Sequence, residues 1–357
     1  TTSVHKNRES NQELLSIING GNLSKISVIH TITFQNTTIY IHNNTFIFYH
    51  CYFNNTSVYA TGGVTRALIF RNSIWIGSKK LKIIIEKYQN IKFYHCKFAN
   101  IFNGNKSLIL LHLIKKFYLM KCIFHNISNV LLKCWSMNTI YISQILVRNI
   151  QLLHHHTKKS LYIFTFCDST NIHIQNSVFT QIDGGSSINI NRVISAQVVK
   201  SKLILINVFF VNNTSVHKGG SLCLENITQV SIQHCIFFSN HAQRGGSIFV
   251  SNIVYLSVRN SMLSRNFANI GGALYIVNIN NTVLDNLIIT YNSASDSGGG
   301  IDFQNCNYVI IIKCNITNNR ATITGGGLAL GDCCKVKLIC SEIRNNFARK
   351  YGAGVYY

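Results

Sequence analysis

Short runs of apolar residues, separated by polar or glycine-containing segments, set the pattern of this chain. Representative runs are Leu203-Ile204-Leu205-Ile206 and Val309-Ile310-Ile311-Ile312, which are rich in β-branched residues and lie near Asn and Gly. Runs of this length and composition are typical of β-strands and are too short for helices. The pattern therefore predicts an all-β chain built from many short strands.

Glycine clusters divide the second half of the chain into repeats of nearly constant length. They recur at spacings of 26 or 27 residues, at Gly219-Gly220, Gly245-Gly246, Gly271-Gly272, Gly298 to Gly300, Gly325 to Gly327, and Gly352 with Gly354. An Asn precedes each cluster by five to seven residues in an apolar-x-x-Asn frame: Asn212, Asn240, Asn266, Asn292, Asn319 and Asn346.

A repeat of this length, with two or three short apolar runs, fits one coil of a parallel β-helix. In that fold each strand pairs with its counterpart one repeat later, at about 4.8 Å. We predict a right-handed, single-stranded parallel β-helix, that is, a β-solenoid of about 12 coils with about 26 residues per coil.

The amino-terminal half carries a looser form of the same repeat, with spacings between about 21 and 33 residues. We predict a cap or first irregular coil at residues 1–30 and one continuous β-helix at residues 31–357. Asn11 to Ile18 has the character of a helical turn that closes the open end of the solenoid. Gly352 to Tyr357 looks like the opening of another coil, so we expect the polypeptide to continue past Tyr357.

Asn and Cys recur at two further positions of the coil, in phase with the flanking apolar residues. Asn260, for example, takes the next place in the alternation of Leu256 and Val258, so its side chain is predicted to point inward at a bend. Inward Asn side chains can hydrogen-bond to one another and to turn backbone, which would account for the Asn excess. The predicted stacks are Asn191, Asn226, Asn252, Asn278, Cys306 and Cys333, and Asn207, Asn260, Asn286, Cys314 and Cys340.

Three sites leave the inward residue open. At His50-Cys51, His95-Cys96 and His234-Cys235, the apolar residues before the motif are in phase with the His and those after it with the Cys. A bulge would resolve the conflict, and either residue remains a candidate for the interior.

The glycine clusters extend into Gly245-Gly246-Ser247-Ile248 and Gly271-Gly272-Ala273-Leu274, each preceded by a Phe-x-x-Asn-like element. These motifs resemble the repeat of chlamydial polymorphic outer-membrane proteins and, more widely, the pectin-lyase-like superfamily of right-handed parallel β-helices. The resemblance covers about Phe209 to Tyr357. It implies a surface or secreted adhesive or structural rod, and the wider superfamily also includes pectate lyases and polygalacturonases.

The composition is that of an ordered chain. Of the 357 residues, 47% are hydrophobic, 12% are charged and none is proline. Proline cannot donate to a strand ladder, so its absence agrees with a chain committed to paired strands. No stretch reaches the roughly 18 uninterrupted apolar residues of a membrane helix, and we expect no transmembrane segment.

Carboxylates are too few and too scattered to predict a catalytic centre. Enzymes of the pectin-lyase-like kind need clustered carboxylates, to bind calcium or to act as acid and base on a glycosidic bond. Among the 11 acids, the nearest thing to a pair is Asp296 and Asp302, on either side of one glycine turn. We predict no catalytic residue, no cofactor and no metal site, and keep a polysaccharide lyase or hydrolase as the alternative.

Several of the 12 cysteines fall about one repeat apart. Cys306 with Cys333, Cys314 with Cys340 and Cys96 with Cys122 are candidate disulfides, because a coil step of about 4.8 Å lies within the Cα separation that a disulfide spans. The other reading is a stack of buried thiols that act as small hydrophobic residues. We take disulfides as the first hypothesis, because the other signs favour an oxidising compartment.

Sequons mark candidate glycosylation sites. They lie at Asn22, Asn36, Asn43, Asn54, Asn105, Asn126, Asn212, Asn280 and Asn315. Asn226 also begins a sequon, but its predicted inward position argues against a glycan.

A formal net charge of +22 is spread along the chain. Such a field attracts anionic polymers, and no nucleic-acid-binding motif accompanies it. We predict a non-catalytic structural or adhesive segment of a larger extracellular or cell-surface glycoprotein. Its expected partners are copies of itself, end to end or laterally, and anionic glycans, with no specific nucleic acid. A basic nucleic-acid binder is the third reading.

Overall fold

The computed structural model describes residues 2–5, 26–63, 66–77, 81–102, 107–128, 130–152, 161–191 and 201–357. Regular secondary structure in these ranges consists of β-strands that pair in parallel. The fold is a parallel β-solenoid of about 11 turns with about 26 residues per turn, which confirms the predicted fold class. The expected helical turn at residues 11–18 lies outside the described ranges.

Packing contacts divide the chain into two compact units, which we describe separately. Unit 1 comprises Thr1–Leu153 and Phe166–His173, and unit 2 comprises His154–Thr165 and Ile174–Tyr357. A coil in either unit passes through three series of strands, which we call the first, second and third sheets; long strands such as Lys202–Asn213 join the second and third into one continuous sheet. In unit 2 a short fourth sheet and a glycine turn complete the coil.

The strands of unit 1 are three to six residues long. Its first sheet contains Thr38–His42, Ser57–Thr61, Ile83–Glu86, Ile109–His112 and Leu132–Trp135. Its second sheet contains Thr2–His5, Ser27–His30, Phe46–Tyr49, Ala67–Arg71, Asn90–Tyr94, Lys116–Met120 and Thr139–Ser143. Its third sheet contains Thr33–Gln35, Tyr52–Asn54, Ile74–Gly77, Lys97–Phe102, Ile123–Ser128 and Leu146–Gln151. Thr2–His5, in the expected cap, pairs with Ser27–His30.

The strands of unit 2 follow the same order. Leu161–Cys167 and Asn171–Asp183 include residues of both units. The first sheet contains Gly185–Asn191, Leu222–Glu225, Ile248–Ser251, Leu274–Val277, Ile301–Gln304, Leu328–Gly331 and Val355–Tyr356. Lys202–Asn213 runs through the second and third sheets. The second sheet also contains Gln229–Gln233, Tyr255–Arg259, Asn281–Asp285, Tyr308–Ile312 and Val336–Ile339. The third also contains Ile236–Phe238, Met262–Ser264, Ile288–Thr290, Asn315–Thr317 and Glu342–Arg344. The fourth contains Phe267–Ile270, Ser293–Ser297, Arg320–Ala321 and Phe347–Ala348.

Single residues in the left-handed conformation form the corners between the sheets. In the described ranges 36 non-glycine residues have a φ between 47 and 58°, and 18 of these are Asn. Asn tolerates this conformation better than most residues with a Cβ. The demand for left-handed corners therefore accounts for much of the Asn excess.

The corner conformation shows that the predicted inward Asn stacks are wrong. Asn207, Asn252, Asn260, Asn278 and Asn286 are exposed corner residues. Their amides hydrogen-bond along the surface, for example from Asn278 Nδ2 to Asn252 Oδ1 at 3.2 Å and from Asn286 Nδ2 to Asn260 Oδ1 at 2.9 Å. A left-handed residue turns the chain, so the alternation of inward and outward side chains restarts one residue later. Asn226 is also a corner residue and is half-buried.

The residue after each corner fills the interior. Cys306, Cys314 and Cys333 are buried in this way behind Asn305, Lys313 and Asp332. Cys340 is itself an exposed corner residue, and Asn191 pairs with Glu225, one position before the corner. At the three ambiguous sites the corners are His50, His95 and His234, and the buried residues are Cys51, Cys96 and Cys235. The predicted columns therefore mixed two adjacent registers.

Stacked aromatic rings fill much of the core of unit 1. One column contains Phe34, Phe53, Trp75, Phe98 and Phe124, with successive ring centroids 5.2, 3.8, 5.8 and 4.7 Å apart. Parallel pairing without a shift of register places side chains of one face directly above one another, so the rings of consecutive third-sheet strands stack. The indole N–H of Trp75 is buried without a hydrogen-bond partner.

A ladder of buried Asn side chains lies behind the third sheet of unit 2. Its members are Asn213, Asn240, Asn266, Asn292 and Asn319, which are buried, and the half-buried Asn346 at the end. Each Oδ1 from Asn240 onward accepts the backbone amide of the preceding member, at 2.8–3.1 Å. The glycine turns after the ladder leave no room for a side chain. A Cβ on Gly246 would lie 2.1 Å from the Gly272 carbonyl oxygen.

Candidate functional site

An outward row of aromatic and cationic side chains crosses the second sheet of unit 1. His30, Tyr49, Arg71 and Tyr94 occupy the same register position on four consecutive strands. The His30 and Tyr49 rings are 5.2 Å apart, and the Arg71 guanidinium lies 5.7 Å from the Tyr49 ring and 5.3 Å from the Tyr94 ring. Distances of this size permit cation–π attraction. We call these four residues the aromatic–cationic row.

Corner residues widen this row. The His50 ring lies 4.3 Å from that of Tyr49, and the His95 ring stacks on Tyr94 at 4.4 Å with an interplanar angle of 8°. Lys121 Nζ lies 5.8 Å from the Tyr94 ring. Rings and cations therefore alternate at the spacing of the coils, about 4.8 Å, which is comparable with the length of one pyranose residue along a polysaccharide.

A parallel row lies two residues earlier on the same sheet. Lys92 Nζ is 5.3 Å from the Tyr118 ring, the Tyr118 and Tyr141 rings are 6.3 Å apart, and the Tyr141 and His173 rings are 5.2 Å apart. The two rows make one amphipathic face of half-exposed rings with positive charge between them. Such a face can stack on apolar sugar faces and attract acidic groups.

The first sheet of unit 1 carries a groove of about 450 Å³. It is lined by Ile84, Glu86, Leu110, Leu111, His112, Trp135 and Ser136. Glu86, His112 and Trp135 are register partners on three consecutive strands, so a carboxylate, an imidazole and an indole stand side by side. Lys133 Nζ lies 4.4 Å from the Trp135 ring. The groove can hold a small polar ligand against an aromatic wall.

Sequence reasoning missed both surfaces. Their members lie 19 to 32 residues apart, too irregularly for the repeat of the second half to align them. The sequence carries no signal for them, because the left-handed corner after each outward residue falls on Lys87, Leu113 and Ser136 rather than on Asn or Gly. With the corners known, the residues before them fall into one column.

Asp302 is the most perturbed acid of unit 2. It is fully buried on the first sheet, with hydrogen bonds from Ser297 Oγ at 2.5 Å and Gln304 Nε2 at 2.7 Å. Burial raises the pKa of this carboxyl to about 6, although both hydrogen bonds lower it. The other member of the predicted pair, Asp296, contributes only a smaller raising effect.

Other carboxylates of unit 2 are engaged in ion pairs. Glu225 Oε1 accepts from Lys218 Nζ at 2.7 Å, and that Lys218 Nζ also lies 4.5 Å from the Phe249 ring. Asp285 lies 3.9 Å from Arg259. Among the described residues, no group of three or more His, Cys, Asp or Glu side chains is arranged to hold a metal ion.

The cysteine pairs differ in register. All twelve cysteines are free thiols. Cys96 and Cys122 are equivalent, and the Cys96 amide donates to Cys122 Sγ at 3.4 Å. Cys306 and Cys333 are also equivalent, whereas Cys314 has Ser341 beside it, with Cys314 N donating to Ser341 Oγ at 3.1 Å. Cys340 is thus one position out of the predicted register with Cys314.

The candidate glycosylation sites fall into three groups. Asn36, Asn43, Asn212 and Asn280 are exposed, whereas Asn54, Asn126 and Asn315 are half-buried. Asn22 and Asn105 lie outside the described residues. The Asn126 amide is engaged on both sides, by Asn100 Oδ1 and by Asn149 Nδ2 at 3.2 Å each. Glycosylation at these sites remains a prediction.

Comparison with solved structures agrees with the fold. The chain is similar to tailspike protein 3 of bacteriophage CBA120, with a TM-score of 0.59 and 10% identity over 93% of this chain and 58% of that chain. The A-module of an Azotobacter vinelandii mannuronan C-5 epimerase gives a TM-score of 0.40 at 10% identity, over 96% of this chain and 92% of that one. A mannuronic acid specific polysaccharide family 6 lyase from human gut microbiota gives 0.39 at 10% identity, over 92% and 80%. No protein-family model and no curated protein sequence matches the chain.

These likenesses concern the fold. The likeness to the tailspike protein agrees with the parallel β-solenoid fold, and a resemblance to chlamydial polymorphic outer-membrane proteins is not shown. The chain spans 58% of the length of the tailspike protein. No helix in the described residues is long and apolar enough to cross a membrane.

Proposed function

We propose that the chain is a non-catalytic adhesive β-solenoid, outside the cell or at its surface, that binds an anionic polysaccharide across the second sheet of unit 1. The observation that supports this proposal is the aromatic–cationic row, in which Arg71 lies between the rings of Tyr49 and Tyr94. Rings supply stacking surfaces for sugars, and the guanidinium supplies a planar, two-pronged donor for carboxylates.

Charge favours an acidic polymer as the ligand. The chain has 33 Lys and Arg against 11 Asp and Glu, a formal net charge of +22. A long-range positive field raises the local concentration of polyanions and their association rates, and salt weakens both effects. The row would then provide the short-range contacts that distinguish a polysaccharide from other polyanions.

Binding to a polyuronate tests this function directly. Polygalacturonate, neutral dextran and duplex DNA are compared as ligands of the full chain by calorimetry at two salt concentrations. We expect binding to polygalacturonate to weaken by about tenfold or more in Arg71→Ala, in line with loss of a hydrogen bond between charged groups, which contributes about 1.5–3 kcal/mol. Preference for duplex DNA with a steep salt dependence would support the nucleic-acid reading instead.

A matched control is available on the second sheet of unit 2. Arg259 is the last residue of its strand, as Arg71 is. Its register neighbours on the two adjacent strands are Gln233 and Asp285, neither of which is aromatic. Arg259→Ala removes the same charge without disturbing an aromatic row. Equal weakening by Arg71→Ala and Arg259→Ala would mean that net charge alone causes binding and that the row is not the site.

The first-sheet groove supports a polysaccharide-active enzyme as the second candidate. Glu86 and His112 are adjacent in the register and could serve as acid and base on a sugar held against Trp135. Release of reducing or unsaturated sugars from acidic polysaccharides is the assay. Activity that disappears in Glu86→Gln would favour the enzyme, whereas unchanged background release would favour the adhesive function. Self-association, end to end or lateral, remains an expectation that sedimentation analysis can test.

A further inference from the structure

Two cysteines of unit 2 lie side by side on consecutive coils. Gln304 pairs with Gly331 in the first sheet, so Cys306 and Cys333, each two residues further along, occupy equivalent interior positions. The amide of Cys334 donates to the Cys306 carbonyl oxygen at 2.9 Å, which holds the two turns together. Adjacent parallel strands are about 4.8 Å apart, and this separation lies within the Cα range of a disulfide.

The two thiols have different chemical roles. Cys306 is 2% exposed and Cys333 is 8% exposed, so Cys333 is nearer to solvent. The Cys306 thiol donates to the carbonyl oxygens of Ile276 at 3.6 Å and Gln304 at 3.4 Å. The proximity of the two thiols lowers the pKa of Cys333 below the ordinary thiol value and raises that of Cys306. Burial instead raises the pKa of other interior thiols, such as that of Cys235 to about 12. Cys333 is therefore the better nucleophile near neutral pH.

We propose that Cys306 and Cys333 form an oxidisable dithiol that reacts with small-molecule disulfides. The Cys333 thiolate attacks one sulfur of the reagent, forms a mixed disulfide and expels one thiolate. The Cys306 thiol gives its proton to that thiolate, attacks Cys333 Sγ and expels the second thiolate. Two cysteine thiols are thus oxidised to one disulfide, and the reagent is reduced to two thiols.

The product would join two coils covalently. It would link the turn after Ile301–Gln304 to the turn after Leu328–Gly331, in addition to the backbone hydrogen bonds of the first sheet. Such a cross-link resists local opening of the coil edge, which suits a protein exposed to proteases in an oxidising environment. This inference does not depend on the polysaccharide-binding function.

The chain contains two internal controls for this chemistry. Cys96 and Cys122 share a register but are 1% and 0% exposed, and burial raises the pKa of Cys122 well above its usual range. Cys314 is buried in the corresponding interior column but faces Ser341 rather than a cysteine. We expect neither Cys96–Cys122 nor Cys314–Cys340 to cross-link while the protein is folded.

Thiol trapping tests the proposal on the full chain. The reduced protein is incubated with glutathione disulfide between pH 6 and 8.5, quenched with acid, alkylated and mapped by mass spectrometry. We expect one peptide pair joined through Cys306 and Cys333, at a rate that rises with pH as more of the Cys333 thiol is deprotonated. Cys306→Ser should accumulate the glutathione mixed disulfide at Cys333, and Cys333→Ser should leave Cys306 unmodified.

Three results would overturn the assignment. One is the absence of the Cys306–Cys333 cross-link at every pH in protein whose circular dichroism shows the folded state. Another is cross-linking of Cys314 to Cys340 at a similar rate, because that pair is out of register. A third is loss of the reaction in Cys334→Ser, which would make the exposed neighbour the attacking thiol.

Discussion

Replacing Asn266 with alanine removes a central member of the buried Asn ladder of unit 2. Its Oδ1 accepts the backbone amide of Asn240 at 2.9 Å and the side-chain amide of Asn240 at 3.1 Å. Its Nδ2 donates to the Phe237 carbonyl at 3.1 Å and to Asn292 Oδ1 at 2.9 Å. Four hydrogen bonds are therefore lost at a residue that is 1% exposed.

The expected loss of stability follows from what these bonds leave behind. The Asn240 backbone amide is deprived of its acceptor, and an unsatisfied buried group costs about 1–3 kcal/mol. The other three bonds contribute about 0.5–1.5 kcal/mol each. Together these contributions give about 2.5–7.5 kcal/mol, a large share of the stability of an ordinary domain.

Urea unfolding followed by circular dichroism measures this loss, and hydrogen exchange of the Asn240 amide shows whether it is local. Asn281→Ala is the matched control, because Asn281 is an exposed strand residue of the same unit. Surface substitutions usually change stability by about 0.5 kcal/mol or less. If Asn266→Ala falls within about 1 kcal/mol of this control, and the Asn240 amide remains protected, the ladder does not stabilise the coil as argued.

Three further changes test other parts of the fold. Burial raises the pKa of Asp302 from 3.8 to about 6. Between these two pH values the folded state binds a proton that the unfolded state has released, so the free energy of unfolding should fall by about 2–3 kcal/mol as the pH rises from about 4 to 6. Urea midpoints across this range should become flatter in Asp302→Asn, and an unchanged slope would contradict the assignment. Trp75→Phe should be close to neutral, because relief of the unpartnered indole N–H offsets a small cavity, whereas Trp75→Ala should lower stability by about 3–5 kcal/mol. Thermal melts in which Trp75→Phe is destabilised nearly as much as Trp75→Ala would contradict the argument from the unpartnered N–H. Gly246→Ala should lower stability by about 3 kcal/mol or more, because the new Cβ would lie 2.1 Å from the Gly272 carbonyl oxygen. Gly354→Ala should be tolerated, because the nearest atom to its new Cβ is 3.5 Å away. Equal melting temperatures of the two variants would contradict the steric argument.

The repeat made the fold class predictable. Glycine clusters such as Gly245-Gly246 and Gly271-Gly272 recur at a nearly constant spacing, and short β-branched runs between them leave parallel stacking of coils as the consistent solution. The equivalence of Cys306 and Cys333 also followed from the repeat, because both follow glycine clusters of the regular half. The fold class and the equivalence of these two cysteines both depend on residue spacing along the chain, which the sequence gives directly.

The directions of the corner side chains depended on the tertiary structure. In an ordinary strand Asn260 would share a face with Val258, but a left-handed φ of 47° turns it outward and places Ser261 inside. The same backbone change exposes Asn278 and buries Ile279. Alternation of side chains predicts facing only while the backbone stays extended, so one left-handed residue per corner was enough to reverse the inward stacks.

The candidate sites also required the three-dimensional register. The strand register makes neighbours of Glu86 and His112, and of Arg71 and Tyr94. The coils differ in length, yet equivalent strands of consecutive coils pair residue for residue. In the regular half of the chain, a constant spacing reveals such neighbours. In unit 1 coil length varies, and the pairing of backbone hydrogen bonds between coils decides which side chains meet.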